Sequence, residues 1–429
     1  MGENRNKEAK ACCCHGKGSA ADPAPRGCCS SQGDEAFLMS LDEEMRALIL
    51  DGSTAPELVT SGEETFAACE RRDLPAWTAG LWELHKEVID STIEGGWDNG
   101  IHPWNREMQD FWKYPIAFAS YGIPSLIMTD PGLYEDACDH MRKSILLMKD
   151  AGAFDEWTRL EFGKDPVTVM NVMYKGHLNL MYGLYRLISG SDEFDEEYRH
   201  LTSVIVSEAR RNGRERGFWG IECEPDQYFP PCNSVGMLSE KVHDLNFGTD
   251  YVETVAAPTA AFIRDRLVDP ETGINLFRYH PSHDYAEPYI IGDCWTTSML
   301  HYFSPDQCQK AFEGIKREFL ADIKGGKECY LKANRFTHGA STDYEQSTWV
   351  LYVPLMSREF GDVELWEKIN RFMNDMYGIE LDNGIVRFKD ADPTIETHAE
   401  GYLFLGAIHL GWDKVLAFDW DSFRTERGR

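Results

Sequence analysis

The sequence predicts an all-α helical toroid, and three observations carry that expectation. Roughly thirteen segments repeat apolar residues at helical spacing. Strand-like runs are few. One segment, 167–189, is apolar on nearly every side, with Met170, Met173, Tyr174, His177, Leu178, Met181, Leu184, Tyr185 and Ile188 recurring along it. A toroid needs such helices, because its inner members are covered all round while its outer members show one apolar stripe.

Along the chain, residues 1–34 are rich in Gly, Ala, Ser and Pro and are expected to be a disordered, Cys-rich tail. Helical periodicity starts at 35–50, and after a loop at 51–62 it resumes at 63–71, 76–93, 105–121, 133–150, 167–189, 193–212, 235–245, 250–267, 293–302, 305–323, 342–359, 361–377 and 393–411. Each segment keeps an apolar residue every three or four positions and stops near Gly, Pro or a polar cluster. Glycines 176 and 183 inside 167–189 each cost about 1 kcal/mol against alanine, which implies close approach of another group. Pro225, Pro230 and Pro231 argue for a loop or edge strand before 235. The one clear hairpin is 377–388, where Asp382-Asn-Gly384 is a turn signal. The connections Gly213 to Val235 and Asp269 to Asp293 are long enough to be functional and are expected at the mouth of the toroid. The expected organisation is the tail followed by one catalytic domain, 35–429.

Composition narrows the function classes. A net charge of −29 argues against nucleic acid and anionic membrane surfaces, which need a cationic face. No apolar run reaches the length of about 18 residues that spans a bilayer, and Tyr114 to Met128 is short and broken by Pro115 and Pro124. The start lacks a secretory run, so a cytoplasmic protein is expected. Gly2 with Cys12, Cys13 and Cys14 faintly suggests N-terminal acylation, although Asn6 stands where the motif wants Ser or Thr. The scattered cysteines at 69, 138, 223, 232, 294, 308 and 329 fit reduced thiols better than a disulfide framework. Neither a phosphate loop nor a GxSxG elbow occurs, so no nucleotide cofactor is implied.

Two strings carry chemistry: Asn171-Val-Met-Tyr-Lys-Gly-His177 and Glu222-Cys-Glu-Pro-Asp-Gln-Tyr-Phe-Pro-Pro-Cys-Asn233. His177 on an apolar stripe is either a core imidazole or a proton-transfer group. In the second string an extended chain would turn Glu222, Glu224 and Asp226 one way and Cys223 the other. Crowded carboxylates raise one another's pKa, which keeps a general acid protonated near neutral pH; a solvated acidic loop is the plain alternative. Zinc held by His177, Cys223, Cys232 and His243 is a competing reading, and a Cys223–Cys232 disulfide is geometrically open.

These strings, with Tyr114-Pro-Ile-Ala-Phe-Ala-Ser-Tyr-Gly122, Gly163-Lys-Asp-Pro166 and Gly248-Thr-Asp-Tyr251, resemble the linalool dehydratase/isomerase family. The resemblance runs from about Asp90 to Trp412 and is dense between Lys113 and Ser239. It implies an (α/α)6 barrel, no cofactor, a ring-shaped homo-oligomer and acid–base chemistry on terpene alcohols. It places the family's catalytic groups on His177, Cys223, Glu224, Cys232 and Tyr114, and an upstream aspartate on Asp90. Two family tyrosines are absent here, one near Trp97 and one replaced by Asp293, so the substrate is expected to differ. Candidate substrate contacts are Asp293, Trp97, Tyr174, Phe229 and Tyr289, and Asp293→Tyr is expected to alter substrate choice more than stability. The expected activity is a lyase or isomerase, a dehydratase or cyclase, on a small apolar isoprenoid. The alternatives are a glycoside-processing enzyme using Glu224 and Asp293 as a carboxylate pair, or a non-catalytic ligand-binding barrel.

Overall fold

Alternation between helices with one apolar face and helices buried all round dictates the architecture seen in the computed structural model, which describes residues 74–97, 102, 104, 112–287, 293–332 and 349–427. Twelve helices carry the framework: α1 (Ala76–Gly95), α2 (Lys113–Thr129), α3 (Tyr134–Met148), α4 (Val172–Ser189), α5 (Asp195–Glu215), α6 (Pro230–Phe247), α7 (Ala257–Arg266), α8 (Asp293–Leu300), α9 (Pro305–Phe319), α10 (Val353–Glu359), α11 (Val363–Tyr377) and α12 (Pro393–Ile408). The even-numbered helices form a closed inner ring, in which α2 packs on α4, α4 on α6, α6 on α8, α8 on α10, α10 on α12 and α12 back on α2. The odd-numbered helices lie outside, with α1 against α12 and α3, α5 against α4 and α6, and α9 and α11 against α8 and α10. This is an (α/α)6 barrel.

The inner helices have the composition their position demands. In α2 every residue except Met128 is buried, and in α8 every residue is buried. Outer helices such as α9 and α11 bury one stripe, Cys308, Ala311, Phe312 and Ile315 in the first and Leu365, Trp366, Ile369 and Phe372 in the second. Three two-stranded ribbons interrupt the helices: β1 (Arg278–His280) with β2 (Tyr285–Glu287), β3 (Leu320–Ile323) with β4 (Glu328–Leu331), and β5 (Ile379–Asp382) with β6 (Ile385–Phe388). The expected 377–388 hairpin is the last of these, turning at Asn383 and Gly384, both with positive φ.

Three boundaries differ from the sequence expectation. Helix α2 continues through Gly122 and Pro124 to Thr129, because an inner helix wrapped by its neighbours tolerates one missing N–H. Helix α6 starts at Pro230 instead of after the prolines: Pro230 and Pro231 occupy the first positions, where the absent N–H would have had no partner. The 305–323 segment divides at Phe319, after which 320–323 pairs with 328–331. The tail, its five cysteines, the helices expected at 35–50 and 63–71, and Tyr289 lie outside the described residues. No helix among the described residues is long and apolar enough to cross a membrane.

Ring closure depends on one close backbone approach. A Cβ built on Gly401 of α12 would sit 2.1 Å from the Pro115 carbonyl oxygen of α2. Neither partner is a flexible side chain. Gly401→Ala is therefore expected to cost about 1–3 kcal/mol, read as a lowered thermal midpoint, whereas Leu245→Ala on the exposed surface should change it little.

Candidate active site

The first turns of α2, α6 and α8 and the second turn of α4 meet at one end of the ring. Tyr114 lies 5.1 Å from His177 and 5.3 Å from Trp295, centroid to centroid, and its hydroxyl is 4.0 Å from the Cys232 sulfur. His177 also packs against Trp295 at 5.3 Å and Phe118 at 5.7 Å. Phe118, Tyr352, Tyr402 and Trp295 continue the aromatic wall at 5.0–5.6 Å.

The thiols reach this cluster by different routes. Cys232 is in the first turn of α6. Cys223 is on the loop between α5 and α6, which is suspended from the start of α4: the Asn171 N–H donates to the Cys223 carbonyl at 3.1 Å. Asn233 clips the same loop from the other side, its amide bonding both the N–H and the carbonyl of Ile221 at 2.8 and 2.9 Å. The chain then turns tightly, with Cys223 N–H to Gln227 O at 2.8 Å and Asp226 at φ 60°. Both thiols are free and buried, and Cys232 is close enough to influence the titration of Cys223.

Burial sets the protonation states. It pushes the Cys223 thiol well above its ordinary range, and the hydrogen bond and charge of Cys232 and the charge of Glu224 add to this. It raises the phenols of Tyr114 and Tyr121 in the same way, with the neighbouring thiols contributing. It holds His177 well below the usual imidazole value, helped by the Lys113 ammonium. At neutral pH the Cys223 thiol and both phenols are therefore protonated and the imidazole is neutral. Tyr121 Oη lies 2.7 Å from His177 Nδ1. With the phenol donating, the ring proton sits on Nε2, which is buried and makes no hydrogen bond.

Other expected site residues lie elsewhere. Asp90 is on outer helix α1, 47% exposed, and accepts from Lys143 of α3 at 3.0 Å. Tyr174 points outward, its hydroxyl donating to the Met148 carbonyl at 2.8 Å. Trp97 donates to Asp150 at 2.6 Å and stacks on Trp112 at 5.2 Å, in a separate group beside the start of α2. Phe229 immediately precedes α6, and its ring meets Phe277 at 5.1 Å. Asp293 sits two residues before Trp295, hence on the opposite side of α8. Its Oδ1 accepts from the backbone and side chain of Asn275 at 3.1 and 2.9 Å. A carboxylate pair of Glu224 and Asp293 across one sugar bond is thus not formed.

The three loop carboxylates are not pooled either. Glu222 pairs with Arg216, and Glu224 accepts from Gln227 at 2.6 Å. Burial raises the Asp226 carboxyl, but the Ser282 hydroxyl and N–H and the nearby histidines outweigh it and leave Asp226 below its ordinary value. The turn at 224–227 spreads side chains that an extended strand would align. His243 bonds Thr249 at 2.8 Å and packs between Tyr198 and Tyr251, away from the thiols. Among the described residues no group of three or more His, Cys, Asp or Glu side chains is placed to hold a metal ion. Residues the sequence reading passed over are Phe118, Tyr121, Trp295, Tyr352 and Tyr402. The spacing 114, 118, 121 marks one helical face and could have identified the first two; nothing in the sequence marks the others.

The profile of the linalool dehydratase/isomerase family matches residues 148–394. Similar solved structures include an α-1,6-mannanase of Salegentibacter sp. HEL1_6, at 13% identity and TM-score 0.44 over 77% of this chain and 99% of that one. A possible member of the GH105 family from Salmonella enterica matches at 11% identity and TM-score 0.45, over 83% of this chain and 97% of that one. At these values the structural likenesses bear on neither substrate nor mechanism.

Burial raises the Asp293 carboxyl from 3.8 to about 7, against the hydrogen bonds from Asn275 and Thr297. A carboxyl with a raised folded-state pKa favours folding while protonated, so its contribution is complete below about pH 4 and is lost as pH rises towards about 7. The stability of Asp293→Asn relative to the parent should therefore grow through that window, by at most roughly 4 kcal/mol, and then level off. Denaturant unfolding at several pH values checks this. Asp293→Tyr should lower stability, since the site is closed.

Proposed function

We propose, since the chain belongs to the linalool dehydratase/isomerase family, that it is an acid–base lyase or isomerase acting on a small apolar isoprenoid alcohol. The observation that supports this most is the pair of free, buried thiols, that of Cys223 held protonated, beside a neutral imidazole and a phenol in an aromatic environment. Such groups can protonate a leaving oxygen without a standing charge to neutralise.

In the proposed dehydration a proton passes from the Cys223–Cys232 pair to the alcohol oxygen. The C–O bond breaks with its electron pair on oxygen, and water leaves. Glu224 takes a proton from the neighbouring carbon, whose C–H electrons form the alkene. The carboxyl then returns its proton to the thiolate, so the protein ends as it began. His177 Nε2–H and the Tyr114 hydroxyl would steady the oxygen. The faces of Tyr114, Phe118 and Trp295 suit positive charge developing on carbon. Re-addition of water at the far allylic carbon would give isomerisation. The tail at 1–34 followed by one catalytic unit, and assembly of that unit into a homo-oligomer, belong to the same reading.

Cys223→Ala, Cys232→Ala and Glu224→Gln are each expected to reduce turnover by about a hundredfold or more with the fold intact. The measurement is product formation from a panel of acyclic terpene alcohols, linalool among them, by mass spectrometry, with circular dichroism as the folding control. Near-parental turnover in all three variants would place the chemistry elsewhere.

A further inference from the structure

Glu224 stands at the rim of the cluster, and what holds it there comes from the β1–β2 ribbon. Tyr228 and Tyr279 exchange both backbone hydrogen bonds at 2.8 Å, tying the Cys223 loop to β1. One residue from each of these tyrosines, Gln227 and Arg278 form a second link. Arg278 Nη1 donates to Gln227 Oε1 at 2.9 Å, and Gln227 Nε2 donates to Glu224 Oε2 at 2.6 Å. A guanidinium can only donate, so its bond fixes which end of the Gln227 amide is oxygen. The NH2 end is therefore the one offered to Glu224, and the oxygen it meets acts as an acceptor. Arg278 is itself held from behind by Glu287, through Nε at 3.0 Å and Nη2 at 2.5 Å, while His280 Nε2 reaches the other Glu287 oxygen at 3.0 Å.

We propose that Gln227 and Arg278 are positioning residues that hold Glu224 as an ionised acceptor, so that Glu224 serves as the base while the thiol pair serves as the acid. This rests on the function proposed above, and it supplies a structural reason for the direction of proton flow assigned there. A donor held against Oε2 bonds the carboxylate more strongly than the neutral carboxyl, which favours the ionised form of Glu224. Among the described residues the other charged or titratable groups around this turn are Glu222 with Arg216 and Asp226 on the loop, and Arg278, His280, His283 and Glu287 on the ribbon. Cys223 is the titratable group on the inner side.

The test uses the full chain with Gln227→Met, Arg278→Met and Arg278→Lys. If the relay sets Glu224, the acidic limb of the pH profile of kcat/KM moves up by about one unit in both methionine variants, KM changes little, and the lysine variant regains part of the shift. A limb that stays put in Arg278→Met overturns the proposal, since that residue lies outside the loop and its loss leaves the backbone links intact. The second readout needs no turnover: infrared difference titration of protein labelled with 13C-glutamate, with Glu224→Gln identifying the band. The Glu224 band should titrate at higher pH in both methionine variants, and an unchanged titration would refute the relay. Absence of turnover on every terpene alcohol in the parental protein would instead refute the proposed function, leaving the infrared result to decide the relay on its own.

Discussion

The contact between α4 and α6 is the constraint on which the rest of the site depends. Gly176 faces the α6 backbone, where a Cβ would make ordinary contact, 3.6 Å from Gly236 N and 3.7 Å from the Cys232 carbonyl. One helical stretch further, a Cβ on Gly183 would come within 2.6 Å of Tyr198 Oη and 2.9 Å of Val242. The missing side chain at Gly183 lets the helices approach closely. Polar pins then fix the register: Asn179 donates to Ser239 at 2.9 Å and accepts from Thr202 at 3.0 Å. Because His177 rides on α4 and Cys232 on α6, this register decides whether imidazole and thiol share one space.

The second thiol depends on the entry to α4. Met170 and Asn171 both have positive φ, 54° and 55°, a backbone state costly for residues with a Cβ. Surrounding bonds hold it. Glu208 of α5 accepts from Met170 N–H at 2.8 Å while pairing with buried Lys175 at 2.5 Å, and Asn171 Nδ2 donates to Pro166 at 3.0 Å. The strained turn aims the Asn171 N–H at the Cys223 carbonyl. A buried ion pair adds little stability on balance, and here its effect is on geometry: it anchors the segment from which the Cys223 loop hangs.

The site also divides into a dry interior and a charged rim. Burial in the ring drives the thiol, the phenols and the imidazole all towards their neutral forms. The charges gather at the mouth, on Glu224, Arg278, Glu287 and Asp226, where water and cross-strand partners compensate them. Neutral groups inside and charged groups at the rim are therefore an arrangement that desolvation itself produces, given these residue types at these depths.

Much of this was already determined in the sequence. The apolar stripe of α4 fixes a buried helix with His177 on it, Asp382-Asn-Gly384 fixes the last hairpin, and the strings around Tyr114, His177, Cys223 and Cys232 fix the family, because each is a local pattern or a run of shared residues. The sequence could not say which side of its helix each residue shows to the ring. Asp90, Tyr174 and Asp293 stand in the right strings and turn outward, whereas Trp295, Tyr352 and Tyr402 stand in unremarkable ones and turn inward. Nor could it show that a tight turn scatters the loop carboxylates, or that prolines 230 and 231 open a helix. Those outcomes depend on how twelve helices close around one axis, a many-body packing condition in which helix rotation is set by distant neighbours and leaves no local periodicity to read.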